Sequence, residues 1–212
     1  MAVKLISLTN PLVEGINNAE ELIVYCARVS NPSNQLNVET SPKLIRYCIE
    51  HGHWSIFEQA SMCVEIKTSR AIAAQIIRHK SFSVQEFSQR YSTSTSFEDI
   101  EFRMQGKTNR QVGDDVVDLS FELQTHVDTA LSFCKNAYNK LIDQGIAKEC
   151  ARMILPLTTS TTLYLNGTVR SFIHYLQLRT KKDTQKEHRD IALEIQNIFK
   201  QQFPNISNAL NW

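Results

Sequence analysis

The longest helical pattern in the chain limits what the rest can fold into. From Asp114 to about Gln144, apolar side chains at Val116, Leu119, Leu123, Val127, Ala130, Cys134, Ala137 and Leu141 recur three or four residues apart. That spacing lines one face of an α-helix. At 1.5 Å per residue the helix would run about 45 Å, and its stripe is expected to form a continuous part of the core. Around it, a chain of 212 residues with no repeat, low-complexity tract or linker reads as a single domain over residues 1–212.

Shorter patterns supply the other elements. Residues 2–8 read as a strand, and Ala19 to Val29 as a helix with Leu22, Ile23, Cys26 and Val29 in its stripe. A second helix opens at Ser41-Pro42, where proline suits the first turn, and stops near Gly52. Residues 60–68 alternate Met62, Val64 and Ile66 with Cys63, Glu65 and Lys67, a half-buried strand. Residues 69–79 form an Ala- and Ile-rich helix, Tyr91 to Ser96 a strand or loop exit, and residues 97–113 an irregular segment. A short helix from Ala147 to Ile154 ends before Pro156, and the β-branched run Leu157 to Leu165 suits a strand. Two helices, Thr168 to Thr180 and Asp183 to Phe203, close an α+β, helix-rich fold with a small antiparallel or mixed sheet.

Composition removes several classes of function. Basic and acidic residues nearly cancel at 23 against 22, for a net charge of +1. A general nucleic-acid or membrane surface would show clustered excess Lys and Arg, so any taste for anions must be local. No apolar run approaches the roughly 18 residues of a membrane span, and the opening MAVKLISLTNP is too short and too quickly polar for a signal peptide. The five cysteines are scattered, without a C-x-x-C pair, and read as reduced, buried thiols of a cytoplasmic protein rather than zinc ligands or a disulfide framework.

Three clusters could carry chemistry. The richest runs from Gln75 through Arg78-His79-Lys80-Ser81 to Glu86, Ser88 and Arg90. Guanidinium forks and hydroxyls suit phosphate oxygens, and Glu86 could accept hydrogen bonds from a base or ribose. A solvated basic helix end complementing the helix dipole accounts for the same cations equally well. A second cluster is His51-Gly-His53-Trp54-Ser55-Ile-Phe57-Glu58, whose aromatic and polar residues suit a planar ring system. The S-x-x-E spacing of Ser55 and Glu58 is also that of a capping box. In the third, Arg170, His174 and Gln177 share one side of a helix, while Arg179 falls with Phe172, Tyr175 and Leu176 on an apolar side. A guanidinium placed there needs an anion, pairs with a carboxylate of another helix, or snorkels to water.

No dinucleotide-fold glycine fingerprint, P-loop or nucleophile elbow is present. Instead Arg78-His79-Lys80, seven residues, Ser88, one residue and Arg90 resembles the signature of the flavin-dependent thymidylate synthases (ThyX), R-H-R followed at those distances by Ser and Arg. His53 with Phe57-Glu58, Gln75 and Glu86 match around it. Ala151-Arg152-Met-Ile-Leu-Pro156 resembles the family's A-R-x-x-L-P stretch, and Arg170 to Arg179 its last binding helix.

The resemblance implies methylation of dUMP at C5 to dTMP, with 5,10-methylenetetrahydrofolate as carbon donor and FAD, reduced by NADPH, as hydride source. It implies dUMP contacts at Gln75, Arg78, Glu86, Phe87, Ser88, Gln89, Arg90 and Arg152. It implies FAD contacts at His53, Ser55, Glu58, Arg78, His79, Lys80, Ser81, Glu86, Thr168, Arg170 and His174. Arg179 would lie at the uracil edge as the catalytic residue, favouring ionisation at N3. It also implies a ThyX-like homotetramer whose sites are shared between subunits. Lys80 stands where the motif has Arg, and Thr168 where many relatives have Asn. Each offers fewer oriented hydrogen bonds, so weaker or differently arranged flavin binding is expected, without loss of activity. No cysteine is expected to be catalytic. The other readings of the residues are a non-enzymatic nucleotide- or RNA-binding module and a flavin enzyme acting on another pyrimidine.

Overall fold

The computed structural model describes residues 2–93 and 95–212. Strand β1 (Ala2–Leu8) leads to helices α1 (Ala19–Ala27) and α2 (Ser41–Glu50), then β2 (Ser61–Ser69), α3 (Arg70–Ile76) and β3 (Ser83–Glu86). A hairpin of β4 (Arg103–Gln105) and β5 (Gly113–Val116) precedes α4 (Phe121–Asp143) and α5 (Lys148–Ala151). Strand β6 (Ser160–Thr168) and helices α6 (Val169–Arg179), α7 (Lys186–Gln202) and α8 (Pro204–Ala209) complete the chain. Ser94, within the stretch expected as a strand or loop exit, lies outside the described residues.

The main sheet has the order β1-β2-β6-β3 and every pairing is antiparallel; it is not mixed. The alternation in β2 decides which side is covered. Val64 pairs with Leu165 and Ile66 with Leu163, and all four side chains are buried. Beneath them lie Ile72 and Ile76 of α3, Phe172 and Leu176 of α6, and Ile191, Ile195 and Phe199 of α7. Glu65, Lys67 and Tyr164 alternate onto the other, polar side, where the Tyr164 hydroxyl donates to Glu65 at 2.9 Å. The two central strands each run directly into a helix. Ser69 ends β2 and accepts from the Ile72 N–H, and Thr168 ends β6 and accepts from the Ser171 N–H. These N-caps fix where α3 and α6 start over the sheet.

Four expectations need correction. The long helix begins at Phe121 with Ser120 as its cap and spans 23 residues, about 35 Å, because Asp114 to Val116 pair with β4 instead. Its stripe is no core: of α4 only Tyr138 is buried. The irregular segment contains that β4–β5 hairpin, and Ser83–Glu86 is a strand that the pattern did not announce. Cys48 alone among the thiols is buried, and Cys150 is exposed.

Candidate active site

The cationic motif sits in a turn and not on the helix expected for it. Helix α3 stops at Ile76, and the His79 N–H closes a turn onto the Ile76 carbonyl at 3.0 Å. Three residues on, Phe82 pins the chain. A Cβ placed on Gly167 would lie 2.5 Å from its ring, and the ring meets Phe172 and Tyr175 edge-on at 4.9 and 5.6 Å. The Ser171 hydroxyl donates to the Ser81 carbonyl at 3.1 Å. Held at both ends, Arg78, Lys80 and Ser81 are left exposed. Neither Arg78 nor Lys80 has an ion-pair or hydrogen-bond partner among the described residues, so two like charges stand here without an anion.

His79 turns inward and joins this turn to α6. The Arg179 Nε–H donates to His79 Nε2 at 2.8 Å, which requires a neutral imidazole carrying its proton on Nδ1. Burial, then the Arg179 and Arg78 charges, lower the His79 pKa below the usual histidine value. Tyr175 packs edge-on to the same ring at 4.9 Å. Arg179 is half-buried, beside buried Tyr175 and Leu176, and its partner is an uncharged ring rather than a carboxylate. Its terminal amino groups keep their donors. Gln75 approaches from α3 and hydrogen-bonds His188 of α7, whose ring centre lies 6.3 Å from that of His79.

A second group forms where the turn of 3₁₀-helix Trp54–Glu58 meets α6. Arg170 pairs with Glu58 at 2.6 Å, and His174 meets Trp54 edge-on at 5.1 Å. His51 stacks on Tyr47 at 4.0 Å and His53 approaches that ring at 5.8 Å. Ser55 is exposed and caps nothing. The capping box expected of Ser55 and Glu58 does not form, because His53 occupies the cap position and Glu58 is engaged with Arg170. Thr168 serves as the α6 cap, with its hydroxyl 3.1 Å from that of Ser171.

The remaining predicted residues lie at the end of β3 and beyond it. Glu86 accepts from Thr161 at 2.9 Å and lies 3.4 Å from Arg70, so one of its oxygens is already engaged. The Phe87 N–H donates to the Thr162 carbonyl at 2.8 Å. Ser88 and Arg90 edge an open cleft of about 350 Å³ with Tyr91, Lys148 and Glu149, and Arg90 lies 3.4 Å from Glu149. Gln89 is the exception, being buried with its Nε2 unpartnered. Arg152 opens a 3₁₀ turn after α5. Among the described residues no hydrogen bond or ion pair links Arg152, Ser88 or Arg90 to Arg78 or Arg179. One chain thus brings the residues into three groups rather than one enclosed pocket.

Sequence reasoning missed His188, Gln185, Tyr175 as a hydrogen-bonding group, and Glu149. His188 had a signal. It stands in register with Ile191, Ala192 and Ile195 on the buried stripe of α7, where an imidazole needs a partner.

Comparison with known proteins adds relatives over the whole length. Residues 11–205 match the family model described as thymidylate synthase complementing protein. The chain is 52% identical to a probable flavin-dependent thymidylate synthase of Paramecium bursaria Chlorella virus 1, and 50% identical to the flavin-dependent thymidylate synthase of Synechocystis sp. Both comparisons cover all of both chains. The fold superimposes on the crystal structure of the UMP/dUMP methylase PolB from Streptomyces cacaoi bound with 5-Br dUMP. There the TM-score is 0.82 with 24% identity, over 99% of this chain and 94% of that one.

Proposed function

The chain belongs to the thymidylate synthase complementing protein family, the flavin-dependent thymidylate synthases, and from that premise we propose how its residues divide the work. It is a flavoprotein methyltransferase of dTMP biosynthesis, which uses FAD and 5,10-methylenetetrahydrofolate to methylate dUMP at C5. This sets aside a nucleotide- or RNA-binding module and a flavin enzyme of another pyrimidine.

The donor set fits a flavin dinucleotide. Arg78 and Lys80 are cations without counter-anions, as a bridging diphosphate requires. Trp54 and His174 present aromatic edges beside Arg170. His53, Ser55, Glu58, Arg78 to Ser81, Glu86, Thr168, Arg170 and His174 would hold the flavin, which when bound supplies the hydride that completes the methyl group. Gln75, Arg78, Glu86 to Arg90 and Arg152 would hold dUMP. NADPH is the reductant we assign, and the five free thiols suit a cytoplasmic setting.

Arg179 is the catalytic residue in this reading, and its hydrogen bond to His79 is the observation that carries it. A guanidinium held through Nε by a neutral acceptor directs its terminal amino groups at the uracil edge. There it stabilises the N3 anion and thereby enriches C5 in electron density. The lack, among the described residues, of any hydrogen bond or ion pair joining Arg152 and Arg90 to this centre is consistent with completion of each site by other subunits of a homotetramer. Incubating the purified protein with dUMP tests the assignment, with dTMP followed by chromatography. Product is expected only when methylenetetrahydrofolate and NADPH are both supplied. No dTMP under any combination would overturn it, and equal rates with NADH would remove NADPH as the reductant.

A further inference from the structure

A line of hydrogen bonds behind the site has a direction, and Gln75 stands in the middle of it. The buried Tyr175 hydroxyl lies 3.0 Å from His188 Nε2, and His188 Nδ1 lies 3.3 Å from Gln75 Oε1. Gln75 Nε2 donates to Gln185 Oε1 at 2.6 Å, and Gln185 Nε2 donates to Glu187 Oε2 at 2.9 Å. Arg103 of the β4–β5 hairpin closes the line on Glu187 at 2.5 Å.

Glu187 sets the polarity. Burial opposes its charge, but the hydrogen bonds from Arg103, its own backbone and Gln185 outweigh burial and hold the carboxyl below the usual range. An ionised carboxylate only accepts. Gln185 must therefore turn its NH₂ to Glu187 and its carbonyl to Gln75, and Gln75 must answer with its own NH₂. That leaves the Gln75 carbonyl facing His188, which has to donate from Nδ1–H and so accept from Tyr175 at Nε2. Burial, with the Arg179 charge beside it, keeps this imidazole neutral. Flipping the Gln75 amide would oppose oxygen to oxygen at Gln185, and at His188 it would either oppose N–H to N–H or force the other tautomer, which takes the acceptor from the buried Tyr175 hydroxyl.

We propose that the one-way line from Tyr175 to Glu187 locks the Gln75 amide with its second N–H as a donor to the substrate, making His188 and Gln185 positioning residues for nucleotide binding. The proposal rests on the reading that Gln75 contacts dUMP. It also ties the hairpin, through Arg103 and Glu187, to the substrate side of α3.

The test is a double-mutant cycle read as dUMP affinity, titrated into the FAD-loaded protein. His188→Leu keeps an apolar side chain of similar bulk in the core and should raise the dUMP Kd about tenfold, the loss of roughly one hydrogen bond. In a Gln75→Ala background the same change should add less than about twofold, because its effect passes through Gln75. A tenfold loss in both backgrounds would mean that His188 merely supports the core, and an unchanged Kd in a folded His188→Leu protein would equally overturn the lock. If Gln75→Ala alone leaves the Kd unchanged, the premise that Gln75 touches dUMP fails, and the proposal with it. Should His188→Leu not fold, Gln185→Leu, on the half-exposed side of Gln75, runs the same cycle with the same expected signs.

Discussion

A guanidinium whose one protein partner is a neutral ring is built to receive charge from elsewhere. Arg179 meets this description, with His79 as acceptor at 2.8 Å and no carboxylate paired with it among the described residues. Changing Arg179 to Ala should lower kcat by about 100-fold or more, the scale seen when one oriented donor is removed from a developing anion. Flavin bound at purification should persist, since Arg78, Lys80 and Arg170 remain. Turnover within about threefold of the parent would take Arg179 out of the chemistry. Lys80 makes the opposite kind of test. Its exposed ammonium lacks the planar fork of Arg, so Lys80→Arg should tighten FAD about three- to tenfold by equilibrium dialysis of the flavin-depleted protein. An unchanged affinity would show that the turn uses charge alone. These proposed roles come from sequence because spacing preserves chemistry: Arg78, Ser88 and Arg90 carry the signature, and Arg179 ends the helix that resembles the family's last one. The line through His188 was not legible there, because Gln75, Tyr175, Gln185 and His188 come from three helices that only the fold brings together.

At the scale of elements, the sequence was clearest where a pattern had one purpose. Met62, Val64 and Ile66 alternate because β2 has one covered side. Patterns that served a different partner misled. The β4–β5 hairpin carries little periodicity, as Arg103 stabilises it through Glu101 and Glu187 rather than through burial of apolar residues. Ser55 and Glu58 have capping-box spacing, yet Glu58 is committed to Arg170. The buried histidine on α7 has a measurable consequence for stability. His188 titrates near 6.5 when unfolded and is lowered to about 3 in the fold by burial and by the Arg179 charge. Above pH 6.5 both states are neutral and nothing is lost. As pH falls below 6.5, the unfolded chain gains a proton that the native protein refuses, which costs about 1.4 kcal/mol per pH unit. His79 and His174, also lowered, act in the same direction. Thermal unfolding should therefore move to lower temperature between pH 7 and pH 5, before the carboxylates titrate. A melting temperature that is flat over that window, or one whose slope is undiminished in His188→Leu, would contradict this account.

The whole molecule raises a question that one chain leaves open, namely what covers α4. The helix shows the apolar recurrence of a core element, yet Leu123 of that stripe is 50% exposed, and off the stripe Phe133 is 71% and Phe121 88% exposed. The periodicity was read as part of the core, which it is not in this chain, and nothing in a sequence says whether a burying surface belongs to the same chain. Soluble monomers rarely leave such a stripe in water, and burying one large apolar side chain is worth about 1.5–3 kcal/mol. Repeated over every copy in a symmetric assembly, that energy is ample to hold subunits together. The same assembly would bring Arg152 and the Ser88–Arg90 edge of one subunit toward the Arg78–Arg179 centre of another. Light scattering of the purified protein should thus give a tetramer at micromolar concentration. Phe133→Glu, which places a carboxylate in the contact of each copy, should shift the mass to smaller species. Because Phe133 lies outside all three groups of site residues, any loss of dTMP formation in this variant would come from assembly, and it should recover in step with the tetramer as concentration is raised. A parent protein that runs as a monomer, or a Phe133→Glu variant that is dissociated yet fully active, would return the site to the single chain and leave the stripe on α4 to some other partner.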